Sequence, residues 1–130
     1  MKVLTNIFIT LAIMVSLACG STPNPKPPPE YSTLDQVYKK TKDGQGKVYV
    51  LFSAPWCESC EHLKKLLTQE GIVNKIMILN VDKTENFLFS RDLEVKGLPA
   101  LVIFDHGQIS LPRHGANKIL LHLVNIEQDG

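Results

Sequence analysis

The amino-acid sequence predicts an α/β fold in which a central four-stranded mixed sheet is flanked by helices. Three observations predict it. Short, nearly continuous apolar runs rich in β-formers occur at 47–52, 76–81 and 100–104, as expected of strands buried on both faces. Amphipathic helical patterns lie before, between and after these runs. A turn signal after the third run folds the chain back along its own edge as a hairpin.

Taken in order, Ser32 or Thr33 caps a helix whose Leu34, Val37 and Tyr38 share one face, and Gly44 and Gly46 break it. Lys47-Val48-Tyr49-Val50-Leu51-Phe52 is the first strand. After Ser53-Ala54-Pro55-Trp56, the stretch from Cys57 to Gln69 sets Leu63, Leu66 and Leu67 against Glu61, Lys64 and Lys65, and Gly71 ends that helix. Ile76 to Val81 is the second strand. Thr84 to Asp92 is a short helix expected to carry Phe87, Leu88 and Leu93 inward. Ala100 to Phe104 forms the third strand, Asp105-His106-Gly107-Gln108 a tight turn, and Ile109-Ser110-Leu111 its partner, with Pro112 expected to end the pairing. Asn117 to Gln128 closes the domain as a helix with Ile119, Leu120, Leu123, Val124 and Ile126 inward. A βαβ unit, a hairpin and a closing helix make one domain over 31–130.

Upstream, Met1-Lys2 and the mostly apolar run to Ala18 follow signal-peptide grammar, so 1–18 is read as an export signal. The run is shorter than the ~20 residues of a membrane-spanning helix. Its end, Ser16-Leu17-Ala18-Cys19-Gly20, resembles a bacterial lipoprotein signal, in which a small residue precedes the cysteine that becomes the lipidated N-terminus. Ser16 stands where that pattern usually has an aliphatic residue. Ser16-x-Ala18 also satisfies the small-x-small rule of ordinary cleavage, which would leave Cys19 a free thiol. Lipidation is the favoured reading, because a secreted protein gains little from a loose terminal thiol. Gly20 lacks the Asp that holds many lipoproteins at the inner membrane. Five of the eight prolines fall within 19–30, which reads as an extended tether.

Composition excludes more than it identifies. A net charge of +1 provides no electrostatic footprint for nucleic acid. Of three cysteines, Cys19 belongs to the leader, and Cys57 and Cys60 form a pair that encloses too little chain to staple a fold. Its value is therefore chemical. Cys57 falls at the start of a helix, where free backbone N–H groups and the helix dipole favour its thiolate. Cys60, one turn inward, is placed to resolve a mixed disulfide made by Cys57. Structural zinc would need further ligands, and His62, His106, His114 and His122 all read as solvated surface residues.

Ala54-Pro55-Trp56-Cys57-Glu58-Ser59-Cys60, at a strand-to-helix junction, and Val95-Lys96-Gly97-Leu98-Pro99-Ala100, opening a later strand, resemble the thioredoxin superfamily over 31–127. The resemblance implies a thioredoxin fold, catalytic Cys57 and Cys60, a cis Pro99 lying against the dithiol, and presentation of the Leu98 backbone to an extended substrate. It implies no cofactor beyond the redox-active Cys57–Cys60 disulfide. Trp56 then shapes the substrate surface, a plain core tryptophan being the alternative.

Glu58 and Ser59 stand where cytoplasmic thioredoxins have Gly-Pro, and Leu51 where they have a buried Asp. Glu58 works against the Cys57 thiolate, which places the expected Cys57 pKa nearer ~7 than ~3.5. The alanine-x-tryptophan-cysteine, Asn80-Val81 and Gly97-Leu98-Pro99 elements are similar to those of exported domains like the C-terminal domain of the DsbD reductase. The implied protein is a thiol:disulfide oxidoreductase on the periplasmic side of a bacterial envelope. It would be lipid-anchored, act on protein thiols and disulfides, and be recharged by a membrane electron donor of the DsbD type. Reduction is the expected direction; a disulfide donor or isomerase, or a static binding module on the same scaffold, are the alternatives.

Overall fold

A computed structural model describes residues 30–44 and 46–130. The segment read as an export signal, Cys19 and the expected tether up to Pro29 lie outside these residues. Among the described residues, no helix is long and apolar enough to cross a membrane.

The elements are α1 (Leu34–Lys42), β1 (Lys47–Ser53), α2 (Glu58–Gln69), a 3-10 turn (Val73–Lys75), β2 (Ile76–Asn80), α3 (Thr84–Asp92), β3 (Ala100–Asp105), β4 (Gln108–Ile109), β5 (Arg113–His114) and α4 (Ala116–Asp129). Thr33 is the N-cap of α1. Its hydroxyl accepts from Gln36 N–H and the Gln36 side chain accepts from Thr33 N–H, a reciprocal capping box. β1 is the central strand, parallel to β2 and antiparallel to β3, in the order β2-β1-β3-β4. Strand alternation then divides the core in two. Val48, Val50 and Phe52 of β1 join Val37, Leu79, Ala100 and Val102 on the face covered by α1 and α3. Leu51 joins Leu63, Leu67, Ile78, Leu101, Ile119 and Leu123 on the face covered by α2 and α4. Leu51 is fully enclosed, so the position of the family's buried acid is apolar packing here.

The sheet has five strands, one more than expected. The β3–β4 hairpin turns at His106 and Gly107, both at positive φ, as a two-residue turn of type I′ requires. Phe104 pairs with Ile109, but Leu101 pairs with Arg113 and Ala100 with His114, one residue out of step with the first register. β4 and β5 are thus one edge strand interrupted by a bulge at Ser110–Pro112. Pro112 lacks a ladder N–H and marks the interruption, after which pairing resumes.

The inward face of α3 also differs from expectation. Leu93 packs into the core as predicted, but Phe87 is 53% exposed and Leu88 41%. Phe87-Leu88-Phe89 sweeps about 200° around a helix, so one sheet cannot cover all three. Phe89 takes the inward place, tilted against Phe52 and stacked with Phe104. Asn86 is buried beside it because its side-chain amide donates to the Asn80 carbonyl at the end of β2, at 2.8 Å.

Candidate active site

The chain leaves the sheet at Ser53, the carboxyl end of β1, and re-enters regular structure one turn later as α2. Cys57 is the N-cap of α2, with its carbonyl accepting from Glu61 N–H at 3.1 Å. Its Sγ accepts from Cys60 N–H at 3.3 Å, so the sulfur takes the place that a capping oxygen usually holds. Cys57 and Cys60 are joined by a disulfide with Cα atoms 5.2 Å apart. Cys60 is fully buried, while Cys57 keeps a small opening to solvent.

Sulfur at this position has a second donor. In the disulfide neither sulfur carries a proton, so the Ser59 hydroxyl, 3.4 Å from Cys57 Sγ, is the donor of that contact. Two N–H or O–H groups therefore face the atom on which negative charge develops once the bond is reduced, and the dipole of α2 acts in the same sense. Glu58 and Glu61 occupy the first turn of α2 and are exposed. Cys57, Cys60 and Ala54 form a small cluster closed by Val81 and Leu98. Leu98-Pro99 is a cis peptide bond, with Pro99 buried and its carbonyl accepting from Gly115 N–H at 3.4 Å.

Trp56 is neither core nor loosely solvated. The ring is 70% exposed, and its Nε1–H donates to Asp82 Oδ1 at 2.8 Å. Asp82 is itself set by its N–H donating to Asn80 Oδ1 at 2.9 Å, a side-chain turn at the end of β2. The pair forms one wall of an apolar groove of about 400 Å³ whose other walls include Phe87, Val95 and Leu98. Sequence reasoning named Trp56 and Leu98 and missed Asp82 and Phe87. Asn80-x-Asp82 is a turn signal that marks the first, whereas an exposed phenylalanine in a helix has no sequence signature.

The histidines divide. His62 and His106 are exposed as expected. His114 and His122 correct that expectation, for both are half-buried. His114 Nε2 accepts from Lys96 N–H at 3.2 Å. His122, on α4, lies in a groove with Lys47, Ile103 and Ser110, and its Nε2 is buried without a partner. Burial pushes its pKa below the ordinary histidine value, and the Arg113 and Lys47 charges add to the effect. Among the described residues, no three His, Cys, Asp or Glu side chains converge to hold a metal ion.

The fold and this site together define a class, a thioredoxin-like thiol:disulfide oxidoreductase domain. The family model described as Thioredoxin matches residues 30–125, and the chain belongs to the thioredoxin family. Over 78 residues it is 35% identical to protein disulfide-isomerase 1 of Caenorhabditis elegans, covering 55% of this chain and 16% of that protein. Over 92 residues it is 34% identical to protein disulfide-isomerase 1 of Dictyostelium discoideum, covering 64% and 25%. The chain thus spans a quarter or less of the curated relatives it matches. Among solved structures, it is similar to a poplar thioredoxin h with 25% identity and a TM-score of 0.58, covering 75% of this chain and 93% of that one. The disulphide isomerase from Xylella fastidiosa Temecula1 has the same fold at 20% identity and a TM-score of 0.55, covering 72% and 89%.

Proposed function

We propose that this chain is a lipid-anchored thiol:disulfide oxidoreductase of the bacterial envelope that reduces protein disulfides on the periplasmic side. The observation that carries the exchange chemistry is the Cys57 sulfur at the α2 N-terminus, faced by Cys60 N–H and the Ser59 hydroxyl and backed by the buried Cys60. In the reduced domain, the Cys57 thiolate attacks one sulfur of a substrate disulfide lying along Leu98-Pro99. The substrate S–S bond breaks, a Cys57–substrate bond forms, and the other substrate sulfur leaves as a thiolate that takes up a proton. Cys60 then gives up its proton and attacks Cys57 Sγ, releasing the second substrate thiol and restoring the Cys57–Cys60 disulfide. Two electrons pass to the substrate, and a membrane dithiol donor of the DsbD type returns them. The leader, Cys19 and the proline-rich tether support the envelope placement and the anchor.

An isomerase reading is favoured by the names of the two relatives, and the reduction potential separates it from reductive work. Equilibration with glutathione is expected to give a potential below about −200 mV, between those of protein disulfide isomerase and thioredoxin; a value near the roughly −180 mV of protein disulfide isomerase favours the isomerase, and one above about −150 mV rules out the reductant. In the Cys60→Ser variant, substrates remain on Cys57 as mixed disulfides. An empty trap in envelope extracts would count against the exchange mechanism.

A further inference from the structure

We propose that His114 is a positioning residue for the substrate-presenting loop, and that this role resides in its Nε2 as a hydrogen-bond acceptor. The inference rests on the oxidoreductase reading above and concerns how the Lys96–Leu98 segment is held in register with the disulfide.

Upstream of that segment, the chain is tied to α3, with Val95 N–H donating to the Ser90 carbonyl at 2.9 Å and Glu94 N–H to the Arg91 carbonyl at 2.9 Å. Downstream, Pro99 O accepts from Gly115 N–H, and Ala100 enters the β3 ladder opposite His114. Lys96, Gly97 and Leu98 lie between these anchors. Among the described residues, one hydrogen bond holds them: Lys96 N–H to His114 Nε2 at 3.2 Å. Packing contributes little at its centre, because Lys96 and Gly97 are exposed and a Cβ placed on Gly97 would meet no atom within 4 Å. Yet this segment delivers Leu98, which closes over Cys57 and Cys60 and lines the groove beneath Trp56.

The geometry sets the chemistry required of residue 114. Nε2 faces a backbone N–H, so it must be the unprotonated nitrogen, with the ring proton on Nδ1. An apolar side chain of similar size preserves the strand and loses the acceptor. A glutamine keeps a side-chain acceptor of comparable reach.

The test compares wild type with His114→Leu and His114→Gln in three measurements: hydrogen exchange of the Lys96 amide by NMR, KM and kcat for insulin disulfide cleavage, and the rate of exchange with oxidised glutathione. The small disulfide needs only the cysteines, whereas a protein substrate needs the loop. His114→Leu is expected to lose Lys96 protection and to raise KM for insulin roughly 2- to 10-fold with kcat and the glutathione rate unchanged, the scale of one neutral hydrogen bond. His114→Gln is expected to restore both. Wild-type protection and KM in His114→Leu, or no recovery in His114→Gln, overturns the proposal. If the wild-type domain exchanges with glutathione but leaves insulin intact, the reading as a reductant of protein disulfides fails, and Lys96 exchange still decides the positioning: lost protection in His114→Leu sustains it and kept protection overturns it.

Discussion

Removing the Ser59 hydroxyl tests how this centre supports a thiolate. Ser59→Ala deletes the donor 3.4 Å from Cys57 Sγ and leaves the Cys60 N–H at 3.3 Å in place. Hydrogen bonds to charged groups contribute about 1.5–3 kcal/mol, and the exposure of Ser59, which allows water to substitute, favours the lower end of that range. One pKa unit corresponds to ~1.4 kcal/mol, so the Cys57 pKa is expected to rise by about one unit. Because the hydroxyl stabilises the reduced, ionised form more than the disulfide, its loss also makes the potential more negative. The limit is about 30 mV well above the thiol pKa, and the shift shrinks near neutrality, where less thiolate is present. The assay is the pH profile of Cys57 alkylation by iodoacetamide in a Cys60→Ser background, with Ser59→Thr as the hydroxyl-bearing control. An unchanged profile in Ser59→Ala, or the same rise in Ser59→Thr, would refute the reasoning.

Further outcomes follow from the groove wall and from His122. Asp82→Ala frees the Trp56 indole, and because both partners are exposed the lost bond to a charged group lies at the low end of its range, about 1.5 kcal/mol, which raises KM for insulin by roughly 10-fold with the glutathione rate retained; an unchanged KM would show that the indole is held by other means. The folded-state pKa of His122 lies below its unfolded value of about 6.5, so the unfolded chain takes up the proton first as pH falls. Its contribution is therefore intact above that value and is lost as pH drops through the window down to the folded pKa. Thermal midpoints measured across this window decline in wild type and less steeply in His122→Gln; equal slopes would assign the acid sensitivity elsewhere.

The strands and the dithiol were legible in the sequence because each depends on local pattern. β1, β2 and β3 are short apolar runs, and the helix that begins after Cys57 carries its own amphipathic stripe. Features set by three-dimensional competition were not legible. α3 presents three consecutive apolar residues, and which of them turns inward depends on the Asn80 carbonyl, which captures Asn86. β5 was hidden because Pro112 reads as a stop, although here it occupies a bulge after which the ladder resumes. In the sequence alone, His114 reads as one surface histidine among four. Only the return of β5 beside β3 brings it to the loop that precedes Pro99.

The treatment of the sheet margins has a consequence for molecular company. An open strand edge invites any extended chain to add to it. On the outer side of β2, Ser32 N–H occupies the Ile78 carbonyl at 2.7 Å, so the entering chain itself takes up part of that edge. At the opposite margin the bulge and Pro112 break the repeat that an added strand would follow. Among the described residues, backbone unclaimed by hydrogen bonds coincides with reactive sulfur at Leu98, beside Cys57 and Cys60. Under the proposed function, an extended substrate chain that adheres there lies directly beside the dithiol, so that contact leads to chemistry and release.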